Sequence, residues 1–301
     1  MAMKISLAPV SYHWSAKRLF DFYNRVTTLP IDRVYLGESI CSKRRELKLD
    51  DWLGIALKLK EAGKEVVLSN LALIEARSEV ALMKKICQQG YSIEANDWSA
   101  VEIATQLGTP FYAGPSLNIY HGKTLALLYH QNLKGWTLPV ELSGDDLSAL
   151  LAHFNELVNS QDRPLDCEVF SYGFAPLAYS ARCFSAHADN VAKDDCRQRC
   201  IQDEEGILLH SQEREALFRI NGIQTQSAAC YNLLPYWQNI QKKGANYLRI
   251  SPTAADISPL IIQLNQSIQH NEIYATPSNE PPLDYCNGYW FNIPGFQQTS
   301  Y

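Results

Sequence analysis

The chain has 301 residues, 46% of them hydrophobic and 20% charged, with a formal net charge of −5. That length allows one large domain or two small ones and a substantial core. The net negative charge argues against a general nucleic-acid surface, and no apolar run reaches the roughly 18–20 residues of a membrane-spanning helix.

In chain order, short β-rich runs alternate with helical patterns. The first run, residues 4–10, follows a start with no long apolar region and no small-residue cleavage site. It reads as a first strand and not a signal peptide, so a cytoplasmic location is expected. Further strands are expected at 33–38, 65–70, 92–96, 111–118, 137–142, 166–172 and 247–251. Helices at 16–28, 50–62, 74–89 and 100–107 are among the stretches between them. Ser15 and Asp50 are placed to cap the first two helices, and Gly63 and Gly90 sit at helix ends. This alternation predicts an α/β fold, a (β/α) TIM-like barrel. A doubly wound open sheet is the alternative, but no Gly-rich turn follows the first strand.

In such a barrel the working face lies at the carboxyl ends of the strands. Glu38, Asn70, Asn96, Asn118, Glu141 and Glu168 fall there, and their recurrence predicts one polar cavity. Some positions of this kind serve only as caps or loop polars. From about 185 to 226 the alternation breaks. A charged, cysteine-bearing stretch runs into GILLHSQEREALFRINGIQTQ, which reads as two short strands and a turn. This is a small β insertion before the last barrel strand. Residues 256–269 read as the closing helix, with Pro259 in its first turn. The tail from 275 to 301 reads as a packed C-terminal coil of the same single domain.

The chemistry concentrates in the cysteines. Three of the eight, Cys183, Cys196 and Cys200, crowd into RCFSAHADNVAKDDCRQRC, and Cys41 stands upstream in YLGESICSKRREL. Reduced thiols are expected inside the cell. Soft thiolates at close spacing hold zinc or iron–sulfur clusters. The spacing C-x12-C-x3-C contains a single tight pair, where structural zinc sites generally use two. A dispersed set of this kind is compatible with a cluster held between elements; zinc and unrelated thiols stay open. Arg182, Lys193, Arg197 and Arg199, with Lys43, Arg44 and Arg45, could offset a cluster's negative charge. They could equally form a solvated loop with Asp189, Asp194 and Asp195. Cys87 reads as a helix residue and Cys167 as a buried strand residue, while no second cysteine stands close in sequence to Cys230 or Cys286. His187 reads as a surface-loop residue. No H-E-x-x-H, G-x-S-x-G or Walker pattern occurs. A nucleophilic Cys183, with His187 or His210 as base, would leave Cys196 and Cys200 without purpose.

The run EVFSYGFAPLAYSARC resembles the signature of the collagenase-like U32 peptidase family, through Glu168, Phe170, Gly173, Tyr179, Ser180 and Cys183. The family's cysteine shortly after the glycine is absent, since Phe174, Ala175 and Pro176 follow Gly173. That departure, with VYLGESICSKRREL and CNGYWFNIPG, is similar to the family's ubiquinone-biosynthesis branch, in which a distant N-terminal cysteine supplies the fourth ligand. The resemblance implies a 4Fe-4S cluster on Cys41, Cys183, Cys196 and Cys200. It implies a heterodimer with the sister protein UbiU and a shared pathway with the lipid-binding UbiT. The implied activity is hydroxylation of the quinone-precursor ring without molecular oxygen, with prephenate as oxygen donor. Peptidase activity is not expected, and no catalytic residue is assigned. Two other readings are a U32-type peptidase or RNA-base hydroxylation factor, and a zinc-stabilised scaffold. The net negative charge and the missing cysteine count against RNA.

Overall fold

The computed structural model describes residues 2–158, 163–275 and 284–299. Seven parallel strands come first: β1 (Lys4–Leu7), β2 (Arg33–Leu36), β3 (Glu65–Ser69), β4 (Ser92–Ala95), β5 (Phe111–Ala113), β6 (Leu133–Thr137) and β7 (Asp166–Gly173). The first six are followed by α1 (Ala16–Val26), α2 (Leu49–Glu61), α3 (Arg77–Cys87), α4 (Trp98–Leu107), α5 (Gly122–Tyr129) and α6 (Gly144–Leu157). The chain then leaves the barrel through β8 (Pro176–Tyr179), α7 (Phe184–Ala188), β9 (Ile207–His210), β10 (Ala216–Asn221), β11 (Gln224–Ser227) and β12 (Cys230–Asn232). After α8 (Trp237–Lys242) it returns as β13 (Tyr247–Ile250), which pairs in parallel with both β7 and β1. That double pairing closes an eight-stranded (β/α) barrel of TIM type. The outer helix α9 (Ser258–His270) follows.

Strands in such a barrel are covered on both faces, and β2 and β13 are buried at every position. Alternation along β2 sends Val34 and Leu36 outward into the main apolar core and Arg33 and Tyr35 inward. In α1 the buried positions Leu19, Phe22, Tyr23 and Val26 follow the helical repeat, and the Ser15 hydroxyl accepts the Arg18 N–H at 3.4 Å. Helix α2 starts at Leu49, because the Asp51 carboxylate accepts the Lys48 N–H at 2.8 Å. Asp50 therefore lies within the first turn and is not the cap.

The sixth strand departs from expectation, running from Leu133 to Thr137 and not over 137–142. Gly135 looks like a breaker in sequence. In the barrel it lets β6 approach β7, since a Cβ there would lie 2.7 Å from the Asp166 Cβ. Pro139, lacking an N–H, sits beyond the strand end.

The insertion holds more strand than expected. Its antiparallel sheet has the order β8-β11-β10-β9, and β8 comes from within the family-like signature. The Tyr12 hydroxyl and the Gln226 amide oxygen, 3.2 Å apart, tie this sheet to the barrel mouth. Strand β7 runs past the barrel and pairs with β12, and β12 pairs with β14 (Tyr285–Cys286) from the tail. Trp290 is buried beside them and donates to the Asn239 amide oxygen at 2.9 Å. The rest of that tail, 276–283 and 300–301, lies outside the described residues. Among the described residues no helix is long and apolar enough to cross a membrane.

Candidate metal centre

The barrel interior is filled by charges. Arg33 reaches Glu65 at 2.8 Å, Glu168 at 2.7 Å and Asp166 at 2.5 Å, between the rings of Tyr112 and Tyr247. Arg249 reaches Glu94 at 2.5 Å and Glu168 at 3.2 Å, over the Tyr35 ring. Glu168 also accepts from the Ser6 and Tyr35 hydroxyls. A carboxylate has about four acceptor positions. Ser6, Arg33, Tyr35 and Arg249 occupy them, so Glu168 acts as an architectural group.

The six polar residues at strand ends do not share one cavity. Glu168 belongs to the interior network, and Asn96 lines a small mouth cavity with Arg249 and Tyr179. Asn118 and Glu141 line a second cavity of about 340 Å³ beneath β8. Glu38 and Asn70 border a third, about 320 Å³, next to α2 and α3. The twofold side-chain alternation of strands sends neighbouring positions to opposite faces, which a list of strand ends does not capture.

The thiols lie on connecting segments at this end of the barrel. After β2, Gly37 adopts φ +133°, where a Cβ would sit 2.8 Å from the Ser69 carbonyl oxygen. The chain turns there, and the Glu38 carboxylate accepts the Ile40 and Cys41 N–H groups at 2.8 and 3.0 Å. This fixes the backbone at Cys41. Cys183 immediately precedes α7. Cys196 and Cys200 bracket Arg197 and Gln198, both left-handed with φ of 47° and 55°.

These segments are cross-tied. The Lys43 ammonium donates to the Lys193 carbonyl at 2.7 Å and to Asp194 at 2.6 Å. The Gln198 amide donates to the Lys43 carbonyl at 2.6 Å. Lys193 in turn donates to the Ala181 carbonyl at 2.9 Å and pairs with Glu75. Cys41, Cys183, Cys196 and Cys200 are half-buried, whereas Cys87, Cys167, Cys230 and Cys286 are buried; among the described residues no disulfide joins them.

Arg44 is the electrostatic centre of this layer. It is buried, donates to the Ser11 carbonyl at 2.6 Å and the Asn221 amide oxygen at 2.7 Å, and lies 3.8 Å from Glu38. Burial works against its charge, but Glu38, Cys200 and Cys41 raise its pKa. Burial pushes the Cys41 and Cys200 thiols up, Arg44 pulls both down, and the Cys183 thiol raises each. Cys41, Cys183 and Cys200 thus lie within electrostatic reach of one another. Cys196 joins them through Lys43, whose charge is favoured by both Cys196 and Cys41.

His13 is a member that sequence reasoning missed. Its Nδ1 lies 3.3 Å from the Cys200 sulfur and its Nε2 3.4 Å from Glu46. Its place just beyond β1, on the same end of the barrel, was the available signal. His187 is exposed on α7. Among the described residues, no three His, Cys, Asp or Glu side chains are gathered to hold a single metal ion. The donor set is sulfur, surrounded by Arg44, Lys43 and His13, which suits a soft-metal group of net negative charge.

A family model described as peptidase family U32 matches residues 23–258. Several solved structures are similar to this chain. A U32 peptidase is 8% identical with TM-score 0.44, the match covering 85% of this chain and 95% of that one. Dihydropteroate synthase from Thermus thermophilus is 9% identical with TM-score 0.40, over 89% and 93%. A tryptophan synthase complex from Pyrococcus furiosus is 11% identical with TM-score 0.41, over 90% and 92%. The family match spans the barrel from α1 to the start of α9 and includes all four half-buried cysteines, and on it the chain belongs to peptidase family U32.

Proposed function

We propose that this chain is an iron–sulfur subunit of the UbiV type, acting with UbiU in oxygen-independent hydroxylation of the ubiquinone-precursor ring. Cys41, Cys183, Cys196 and Cys200 would hold a 4Fe-4S cluster. The observation that carries this reading is the cross-tie: Lys43, Gln198 and Lys193 bind the Cys41, Cys183 and Cys196–Cys200 segments into one layer. Cys41, Cys183 and Cys200 feel one another's charge, and Lys43 links Cys196 to Cys41.

Bound through four cysteines, such a cluster supplies one-electron transfer and leaves no open iron for substrate. The surrounding residues have separable tasks. Arg44 offsets negative charge beside Cys200 and Cys41. Glu38 fixes the backbone at Cys41, and Lys43 and Gln198 hold the downstream pair against it. UbiU, UbiT and prephenate enter through the resemblance of the cysteine-bearing stretches to the ubiquinone-biosynthesis branch. Anaerobic purification tests the reading. A brown chain with about four irons and a broad visible absorption band is expected. The gene should also restore anaerobic ubiquinone synthesis to a strain lacking the branch member. A colourless, zinc-loaded chain would instead support the scaffold.

A further inference from the structure

The third cavity, about 320 Å³, stands apart from the barrel mouth where active sites of this fold usually lie. Its walls are mainly apolar, with Trp52, Leu71 and Met83 among them and Leu82 exposed at the rim. It falls within the size range of small-molecule sites. Two buried donors in its lining have no hydrogen-bond partner among the described residues: the Asn70 Nδ2 and the Arg44 Nε. Both side chains are more than nine-tenths buried, with Asn70 at 2% and Arg44 at 6% exposure. Orphaned buried donors are costly, so a pair of them in one cavity wall calls for an acceptor.

Both are also rigidly placed. The Asn70 backbone donates to the Glu94 carbonyl and accepts from the Asn96 amide, and the remaining Arg44 nitrogens are engaged with Ser11 and Asn221. The Arg44 charge is already answered by Glu38 and the thiols. What remains in the buried wall is two donors and no unanswered buried charge, which matches one neutral oxygen at that end; Arg45 and Lys48 also line the cavity but are exposed to solvent. Ser42 and Arg44 in the lining stand next to Cys41 and against Cys200, so the polar end of the cavity abuts the sulfur layer.

We propose that this cavity binds a phenol or quinone ring bearing an apolar tail, its ring oxygen accepting from Asn70 and Arg44 beside the thiol layer. Calling that ligand the ring substrate rests on the reading of the chain as a quinone-hydroxylation subunit; the binding itself does not. Equilibrium dialysis of the full chain, iron-free and reconstituted, against 2-geranylphenol and decanoate provides the test. Saturable one-site binding of 2-geranylphenol is expected in both forms, with decanoate at least about tenfold weaker. Asn70→Leu should weaken binding about tenfold. Met83→Trp should abolish it, and Leu82→Trp, at the exposed rim, should repeat the blockade if the core variant does not fold. Absence of saturable binding, equal affinity for decanoate, or affinity unchanged in Asn70→Leu and Leu82→Trp would overturn the assignment. A chain that takes up no iron but binds 2-geranylphenol would overturn the cluster reading and leave this one standing.

Discussion

The barrel interior and the thiol layer above it use the same kinds of residue to opposite ends. In the interior, Arg33, Glu94, Glu168 and Arg249 are each 3% exposed or less, and every charge meets another. In the thiol layer the ties are exposed, as in Lys43–Asp194, with side-chain exposures of 30% and 93%. Exposed pairs of this kind are screened by solvent and contribute little. What the layer keeps is unspent capacity: four free thiols and the orphaned donors of Arg44 and Asn70.

The sharpest way to break that contrast is Glu168→Gln. It removes a charge that faces both buried arginines, and loss of one partner of a buried pair costs about 3–5 kcal/mol. Urea unfolding should show a fall of that size, while the folded fraction retains its metal-binding capacity. Cys41→Ala should do the reverse. Iron per chain after anaerobic reconstitution should drop to a small residue, while the unfolding free energy of the iron-free chain shifts by less than about 1 kcal/mol, as expected away from a packed core. Unchanged iron would remove Cys41 from the ligand set.

Lys43→Ala sharpens the comparison at intermediate size. Groups that orient metal ligands typically change affinity about 10–100-fold when lost. Faster release of iron to a chelator is expected, with little change in the unfolding midpoint of the iron-free chain. The smallest effect belongs to neither region. Ser143 and Asp146 form a reciprocal cap on α6, with the Asp146 carboxylate held below its usual range by the Ser143 hydroxyl and N–H. Ser143→Ala should cost about 1 kcal/mol. Because the folded Asp146 pKa is depressed, its contribution is complete above the unfolded carboxylate value near 4 and disappears as pH falls through the lower folded value. Asp146 is exposed, so screening limits this part to about 0.5 kcal/mol. The wild-type minus variant difference should shrink on acidification.

The barrel was legible because its signals are local. Apolar alternation, Ser15 at a helix start, and Gly63 and Gly90 at helix ends with φ of +80° and +77° each depend on neighbours within a few residues. Where the sixth strand departed, a non-local fact intervened: Gly135 is required by Asp166 on the adjacent strand. The insertion was under-read for the same reason, since β8 is a strand only through its pairing with β11.

Residue type and spacing alone determined the class of fold and drew attention to Cys183, Cys196 and Cys200, because few soft ligands are available to a chain and their clustering is visible in one dimension; Cys41 joined them as a candidate through the family resemblance. Tertiary structure decided the rest. It set His13 against Cys200, turned Arg44 between sulfur and cavity, and spent Glu168 on the interior. A histidine, arginine or glutamate can be surface, core or site. Which one it becomes depends on partners far away in sequence, such as Asp194 for Lys43 at a separation of 151 residues.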